Sequence, residues 1–379
     1  MQKLRLIIFT LVFSALSVLT VSASNGDPVV LMQDKDVTYL AKITKVISSE
    51  IKNVPNLNTT SNYQTVIVEF LSGERKGGTQ KITDSNFLMS TGDKVYVRYT
   101  RTSDGTEYYS IQEPYRLHIL FWLLGLFIVV ALLFGGKQGI LGLFALFISF
   151  GFVFKLMFPS ILNGGNIIFI STLGALTALF VVMFVTHGFS RLTTAAFLGC
   201  SVSVLFTVFL AKYAVSYMHL SGFSSEESVY LNMATQGSLD FVALLVGGII
   251  IGVIGVIDDI AITQASVVNE LYSSNPSIEV RTLYLRALKV GKDHMGAVIN
   301  TLILAYTGAS LPLVLLFYVS ETPALELINR EVIATEIVRS IVGSIGLLLA
   351  VPLTTFIAVL LIHGRKVSEK SLRSHSHHH

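Results

Sequence analysis

Two adjacent carboxylates, Asp258 and Asp259, end an apolar run long enough to enter a bilayer, within FVALLVGGIIIGVIGVIDDIAITQASVVNELY from Phe241 to Tyr272. A carboxylate in apolar surroundings has its charged form disfavoured. It persists there chiefly where it binds a cation, relays a proton or pairs with a base. At helical spacing Gly248, Gly252, Gly255, Asp259, Thr263, Ser266 and Glu270 fall on one stripe, three or four residues apart. Small residues let a neighbouring backbone come close, so the stripe is expected in a helix-helix seam with Asp259 inside the protein. The structural alternative is that the pair only marks where the helix leaves the membrane for water.

A second polar face lies in KVGKDHMGAVINTLILAYTGASLP, where Asp293, Asn300 and Thr307 recur every seven residues and Gly296 allows close approach. This helix is the natural partner of the aspartate stripe. Hydroxyl and amide oxygens from Thr263, Asn300 and Thr307 around a carboxylate suit proton or sodium handling, since hard cations take oxygen ligands. Plain hydrogen bonding between helices is the structural alternative. Asp293, His294, Glu336 and Arg339 are secondary polar candidates. Histidine as a residue type titrates near neutral pH, which invites a proton-relay reading of His294 beside Asp293, but its place at a helix end favours a structural one. Glu336 and Arg339 are three apart, so an ion pair neutralises both before the chain enters lipid. No Walker, HExxH or GxSxG motif is present. The single Cys200 forms no cysteine cluster, and the terminal SHSHHH is set aside as a native or added tail. Intramembrane aspartyl proteases use carboxylates from separate helices, whereas these are neighbours in sequence, so neither an enzyme nor a cofactor or resident metal is expected.

The elements that must position these groups follow from composition. Of 379 residues 52% are hydrophobic and 13% charged, against about a quarter charged in a soluble domain, so the chain is read as a multi-span membrane protein. A net charge of +3, with basic residues scattered through short loops, excludes nucleic acid as a partner. Residues 1–23 read as a signal peptide or an N-terminal anchor, with Lys3 and Arg5 before an apolar stretch. Residues 28–115 alternate in strand-like runs with turn clusters between them, and suit a small all-β, OB-like domain. Residues 117–363 are expected to form a polytopic helical bundle of seven spans, and 364–379 a basic tail. The spans are Ile119 to Phe134, Ile140 to Phe158, Ile167 to Val185, Ala195 to Val215, Phe241 to Ile262, Ala297 to Val319 and Ile337 to Ile362. Lys137, Arg191, the run Arg281 to Lys292 and Arg365 to Arg373 then fall on one side, which the positive-inside rule makes cytoplasmic, with the β domain outside.

Four segments together resemble the YibE/F-like family of bacterial membrane proteins: THGFSR at Thr186 to Arg191, GVIDDIAITQASVVNEL at Gly255 to Leu271, VGKDHMGAVINTLILAYTGASLPL at Val290 to Leu313, and EIVRSIVGSIGLLLAVPLTT at Glu336 to Thr355. The resemblance implies a multipass protein of the bacterial cell membrane with an N-terminal extracytoplasmic domain, and brings no settled activity with it. Gly255 to Asp259 is locally similar to the proton-carrying segment of resistance-nodulation-division exporters, although their duplicated layout and large periplasmic domains are missing here.

The expected function is a transporter or exporter, coupled to a proton or cation through Asp258 and Asp259, with a small solute or ion as cargo and the bilayer as its medium. The competing expectation is a scaffold whose β domain and bundle hold a protein partner without transport.

Overall fold

The computed structural model describes residues 37–53, 60–84, 87–102 and 105–363. The expected signal or anchor, 1–23, and the basic tail, 364–379, lie outside the described residues, as does the side chain of His294. The chain divides into two compact units between residues 133 and 134.

The first unit holds a five-stranded antiparallel sheet: β1 Val37–Asn53, β2 Thr60–Phe70, β3 Thr79–Asp84, β4 Lys94–Arg101 and β5 Glu107–Pro114. The strand order is β3-β2-β1-β4-β5, so the long β1 is central. Alternate residues supply one apolar face, with Tyr39, Ala41 and Ile43 meeting Val66, Val68, Phe70, Val95, Val97 and Ile111 in the core. Register shifts in β1 around Lys45 and between Val46 and Ser48 bend the strand. Gln64 is buried and imitates a strand partner: its Nε2 donates to Met89 O and its Oε1 accepts from Met89 N, both at 2.8 Å. The glycine-rich hairpin after β2 is tight, with Gly73 and Gly77 at positive φ and Gly73 pressed against the Tyr39 ring.

Helix α1, Leu117–Phe152, starts in the first unit and continues into the second. Gly136 interrupts it with φ 50 and ψ −134, a backbone that only glycine adopts without strain. A π-helical turn, Val153–Met157, and α2, Phe158–Leu162, extend it to 46 residues.

The second unit then runs through α3 Ile167–His187, α4 Arg191–Tyr217, α5 Glu226–Ala234, α6 Phe241–Ser274, α7 Val280–Ala309, α8 Leu311–Val319, α9 Ala324–Asn329 and α10 Glu331–Ile362. Local sequence explains the starts. Asn166, Ser190 and Asp240 accept from Phe169 N, Thr193 N and Ala243 N as N-caps of α3, α4 and α6. Pro312 opens α8, where it has no lost hydrogen bond to replace. The short α5 carries a Ser225-Ser228 capping box.

Five helices are long and apolar enough to cross a membrane, and a sixth span arises if α7 and α8, bent by 73°, count as one. The chain is therefore a multipass membrane protein. Two spans joined through Lys137 were expected within residues 117–162; this 46-residue apolar stretch counts once among the five, and two helices meet in it at a kink at Gly136.

Packing centres on α4, α6 and α10. Ala195, Gly199, Ser203, Thr207 and Ala211 are buried at four-residue spacing along α4, and Gly346, Ala350, Thr354 and Ala358 match them on α10. A β-carbon on Gly199 would collide with Thr354, and one on Gly346 with Thr207. Ser203 Oγ donates to Gly346 O. In lipid, where the surrounding tails are as apolar as leucine, such close backbone approach is a main source of helix association.

Two opposite ends of this bundle are chemically distinct. At the end where α3 turns into α4, Arg191 Nη1 donates to Leu361 O at 3.4 Å, His363 of the same end meets Ile278 O just before α7, and Arg281, Arg286, Lys289 and Lys292 follow along the first half of α7. This is the basic end. At the other end Glu331 Oε1 accepts from Ser221 N at 2.7 Å, Ser221 Oγ at 2.8 Å and Gly222 N at 2.9 Å. That contact ties the loop after α4 to the start of α10.

Candidate functional site

The aspartate pair splits between two faces of α6. Ile254, Asp258, Ala261 and Ala265 share the side turned toward the bundle, and Asp258 is half-buried there, whereas Asp259 is exposed. On the inward side Ile257 is fully buried, and Cys200 Sγ on α4 donates to its carbonyl at 3.5 Å. The Asp259 carboxylate lies within electrostatic range of His187, the last residue of α3. Asp258 stands 17 residues into α6, or ~26 Å along it. In a hydrocarbon layer of ~30 Å that begins at Phe241, that depth is close to the basic-end boundary and far from the midplane.

The expected seam for the glycine stripe is therefore corrected. Gly248, Gly255, Asp259 and Thr263 are exposed, and a β-carbon on Gly248 or Gly255 would have nothing within 4 Å. Only Gly252 meets a neighbour on this face: a β-carbon added there would lie 2.9 Å from Tyr306 Oη of α7. The reason is competition for burial. The opposite face of α6 carries Ile249, Ile250, Val253 and Ile257, which fill the core, while α4 and α10 offer each other matched small residues and make the close seam themselves.

The α7 polar face is outward as well. Asp293, Asn300 and Thr307 are exposed, and Thr307 Oγ1 donates to Ile303 O of its own helix at 2.8 Å. Among the described residues no hydrogen bond joins Asn300 to either aspartate. The helices α6 and α7 nevertheless touch at two levels: Gly252 against Tyr306, and Gly291 against Gln264, whose Oε1 would lie 2.6 Å from an added β-carbon.

Gln264, absent from the expected set, is the most enclosed amide of the bundle. It is 3% exposed, and its Nε2 donates to Ala287 O at 2.9 Å and Thr355 Oγ1 at 2.7 Å, linking α6, α7 and α10. With Thr263, Val290 and Val351 it borders a cleft of about 30 Å³, the share of liquid volume of a single water. The signal for it was its place among Ala261, Ala265 and Val268 at helical spacing.

Glu336 and Arg339 form the expected i,i+3 pair at 3.5 Å, half-buried on α10. Glu336, Thr307 and Tyr306 line a larger cavity of about 520 Å³ between the bent α7-α8 pair and α10. Of the expected residues the structure thus brings together Thr307 with Glu336, and Asp258 with the α4 side of the bundle. Among the described residues no cluster of three His, Cys, Asp or Glu side chains is placed to hold a metal ion.

The YibE/F-like protein family matches residues 123–364, from inside α1 to the end of α10. The chain belongs to this family. The matched region holds the helical bundle and both aspartates, and leaves the β-sheet outside it. Nothing among curated proteins or solved structures matches the chain.

Proposed function

We propose that this YibE/F-like protein is a membrane transporter or exporter driven by a proton or cation at the aspartate pair, with Asp258 as the principal coupling group and Asp259 beside it. The observation that carries this reading is the half-buried Asp258 carboxylate on the inward side of a membrane-spanning helix. An acid held there changes charge only with a proton or a bound cation, and each change alters how the surrounding helices are solvated. A helix broken at Ser310 supports the same reading, since discontinuous spans beside a cavity are a recurring feature of transporters.

The architecture we propose with it has seven spans in the bacterial cell membrane. As one straight helix the 46 residues 117–162 would be ~69 Å long, about twice a hydrocarbon core of ~30 Å, so the kink at Gly136 serves as the turning point between two spans. The basic end then faces the cytoplasm and the β domain lies outside. Its strand order is that of an OB barrel once β3 closes on β5.

The test uses respiring inverted vesicles whose pH gradient is monitored while candidate solutes are added. Asp258→Asn is expected to insert normally and abolish solute-dependent proton flux, with Asp259→Asn giving a smaller loss. Unchanged flux in both variants at every pH would overturn the coupling role and leave the scaffold reading, in which the bundle and β domain hold a protein partner.

A further inference from the structure

We infer that the outer face of the first half of α7 binds the headgroups of anionic phospholipids, an assignment independent of the transport reading. One side of this half carries Leu283, Ala287 and Gly291, which are buried in the bundle. Away from them Arg281, Lys289 and Lys292 share one exposed face, with exposed Arg286 at its edge. Asp293 is the one carboxylate between Val280 and Asn300, so this face is positive. Among the described residues none of the four basic side chains forms an ion pair. Cations without partners are ordinary on a surface bathed in water, but these stand at another depth.

Two contacts fix that depth. Gly291 lies against α6, where a β-carbon added to it would come within 2.6 Å of Gln264 Oε1. Gln264 stands 23 residues beyond Phe241, or ~35 Å along α6, just past a hydrocarbon layer of ~30 Å that begins at Phe241. At the other limit Ile278 O, just before α7, accepts from His363 Nε2 at 3.2 Å, and the His363 ring centre is 5.5 Å from that of Tyr272. His363 ends a stretch of α10 that holds no charged residue after Arg339. Measured along α6 or along α10, the hydrocarbon therefore ends between the level of Gly291 and that of Ile278. Arg281, Arg286 and Lys289 lie inside this interval, and Lys292 is one residue beyond it with a stem long enough to reach back. Four cations thus face outward at the level of the lipid phosphates. A phosphatidylcholine head is neutral overall, whereas a phosphatidylglycerol head brings the net negative charge that this face lacks, and each basic side chain near such a surface adds attraction.

The experiment reconstitutes the full-length protein in phosphatidylcholine vesicles and adds spin-labelled phosphatidylglycerol or phosphatidylcholine with identical chains, reading the fraction of each that is immobilised at the protein surface. Phosphatidylglycerol is expected to be favoured about fivefold, the factor that one fully engaged basic side chain supplies, and the preference should shrink as salt rises. Arg281→Gln/Arg286→Gln/Lys289→Gln/Lys292→Gln should remove most of it with little change in thermal midpoint, since all four side chains are exposed. Should that variant fail to fold, Lys289→Gln/Lys292→Gln should still show a partial loss, and Lys289→Arg/Lys292→Arg should keep the preference. The variant Arg365→Gln/Lys366→Gln/Lys370→Gln/Arg373→Gln removes the same charge from the basic tail and should leave most of the preference in place. Equal immobilisation of the two lipids, or an equal loss from the tail variant, would overturn the assignment. So would displacement of phosphatidylglycerol by inorganic phosphate beyond that by chloride at equal ionic strength, which would point to a soluble phosphate instead.

Discussion

Gln264 Nε2 of α6 donates to Thr355 Oγ1 of α10 at 2.7 Å, and Thr355 Oγ1 in turn donates to Val351 O at 2.7 Å. With the bond to Ala287 O, one amide fastens three helices. Replacing it by leucine removes a bond between helices and leaves a buried hydroxyl with less to accept. Gln264→Leu should cost about 1–2 kcal/mol, read as a lowered midpoint of thermal unfolding in detergent.

Glycines of the two helix faces should behave in opposite ways. Gly199→Leu and Gly346→Leu force bulk into the contacts with Thr354 and Thr207, and should lose at least ~1–3 kcal/mol or fail to assemble. Gly248→Ala and Gly255→Ala meet open space and should be neutral or gain up to ~1 kcal/mol from helix propensity. Yield and thermal midpoint of the four purified variants decide between them.

The loop after α4 depends on one carboxylate. Glu331→Ala removes the acceptor shared by Ser221 N, Ser221 Oγ and Gly222 N, with an expected loss of about 1–3 kcal/mol. Limited proteolysis should then cut within 218–240 at least several-fold faster than in the unaltered protein.

Acid should loosen the β domain through Glu107. Its carboxylate accepts from Tyr99 Oη at 2.8 Å, Tyr109 Oη at 2.9 Å and Arg75 Nη2 at 2.8 Å. These bonds, led by the one from Tyr99, lower its pKa from 4.5 to about 2. Because the folded value is the lower one, the stabilisation is fully present above pH 4.5 and is lost as pH falls toward 2. Near-ultraviolet circular dichroism of the tyrosines should therefore fade across that window, and Glu107→Gln should flatten the dependence.

Much of the architecture is legible in the residues because it rests on hydropathy and punctuation. Alternation at Tyr39, Ala41 and Ile43 gives a strand, and Asn166, Ser190 and Asp240 give helix starts. The facing of α6 is not legible in the same way. Gly248, Gly252 and Gly255 form a stripe, but a stripe becomes a seam only when another helix presents matching small residues, and that match is a property of two segments together. Ala195, Gly199, Ser203, Thr207 and Ala211 carry the same four-residue spacing without a carboxylate to draw attention to them. Of the candidate site, the pairing of Glu336 with Arg339 follows from spacing. The cavity beside it depends on the bend after Ala309, which no local pattern near Pro312 specifies in angle. The role of Gln264 likewise needed the three helices to be assembled.

The contact of bare backbones between α4 and α10 also decides what can move. Interlocked at Gly199 and Thr354 and again at Thr207 and Gly346, these two helices behave as a keel that cannot slide without prising the pair apart. The α7-α8 pair, hinged at Ser310 and largely uncovered, is left as the rudder. In the transport cycle proposed above, spin labels on α4 and α10 should keep one fixed separation, while a label on α8 swings relative to both.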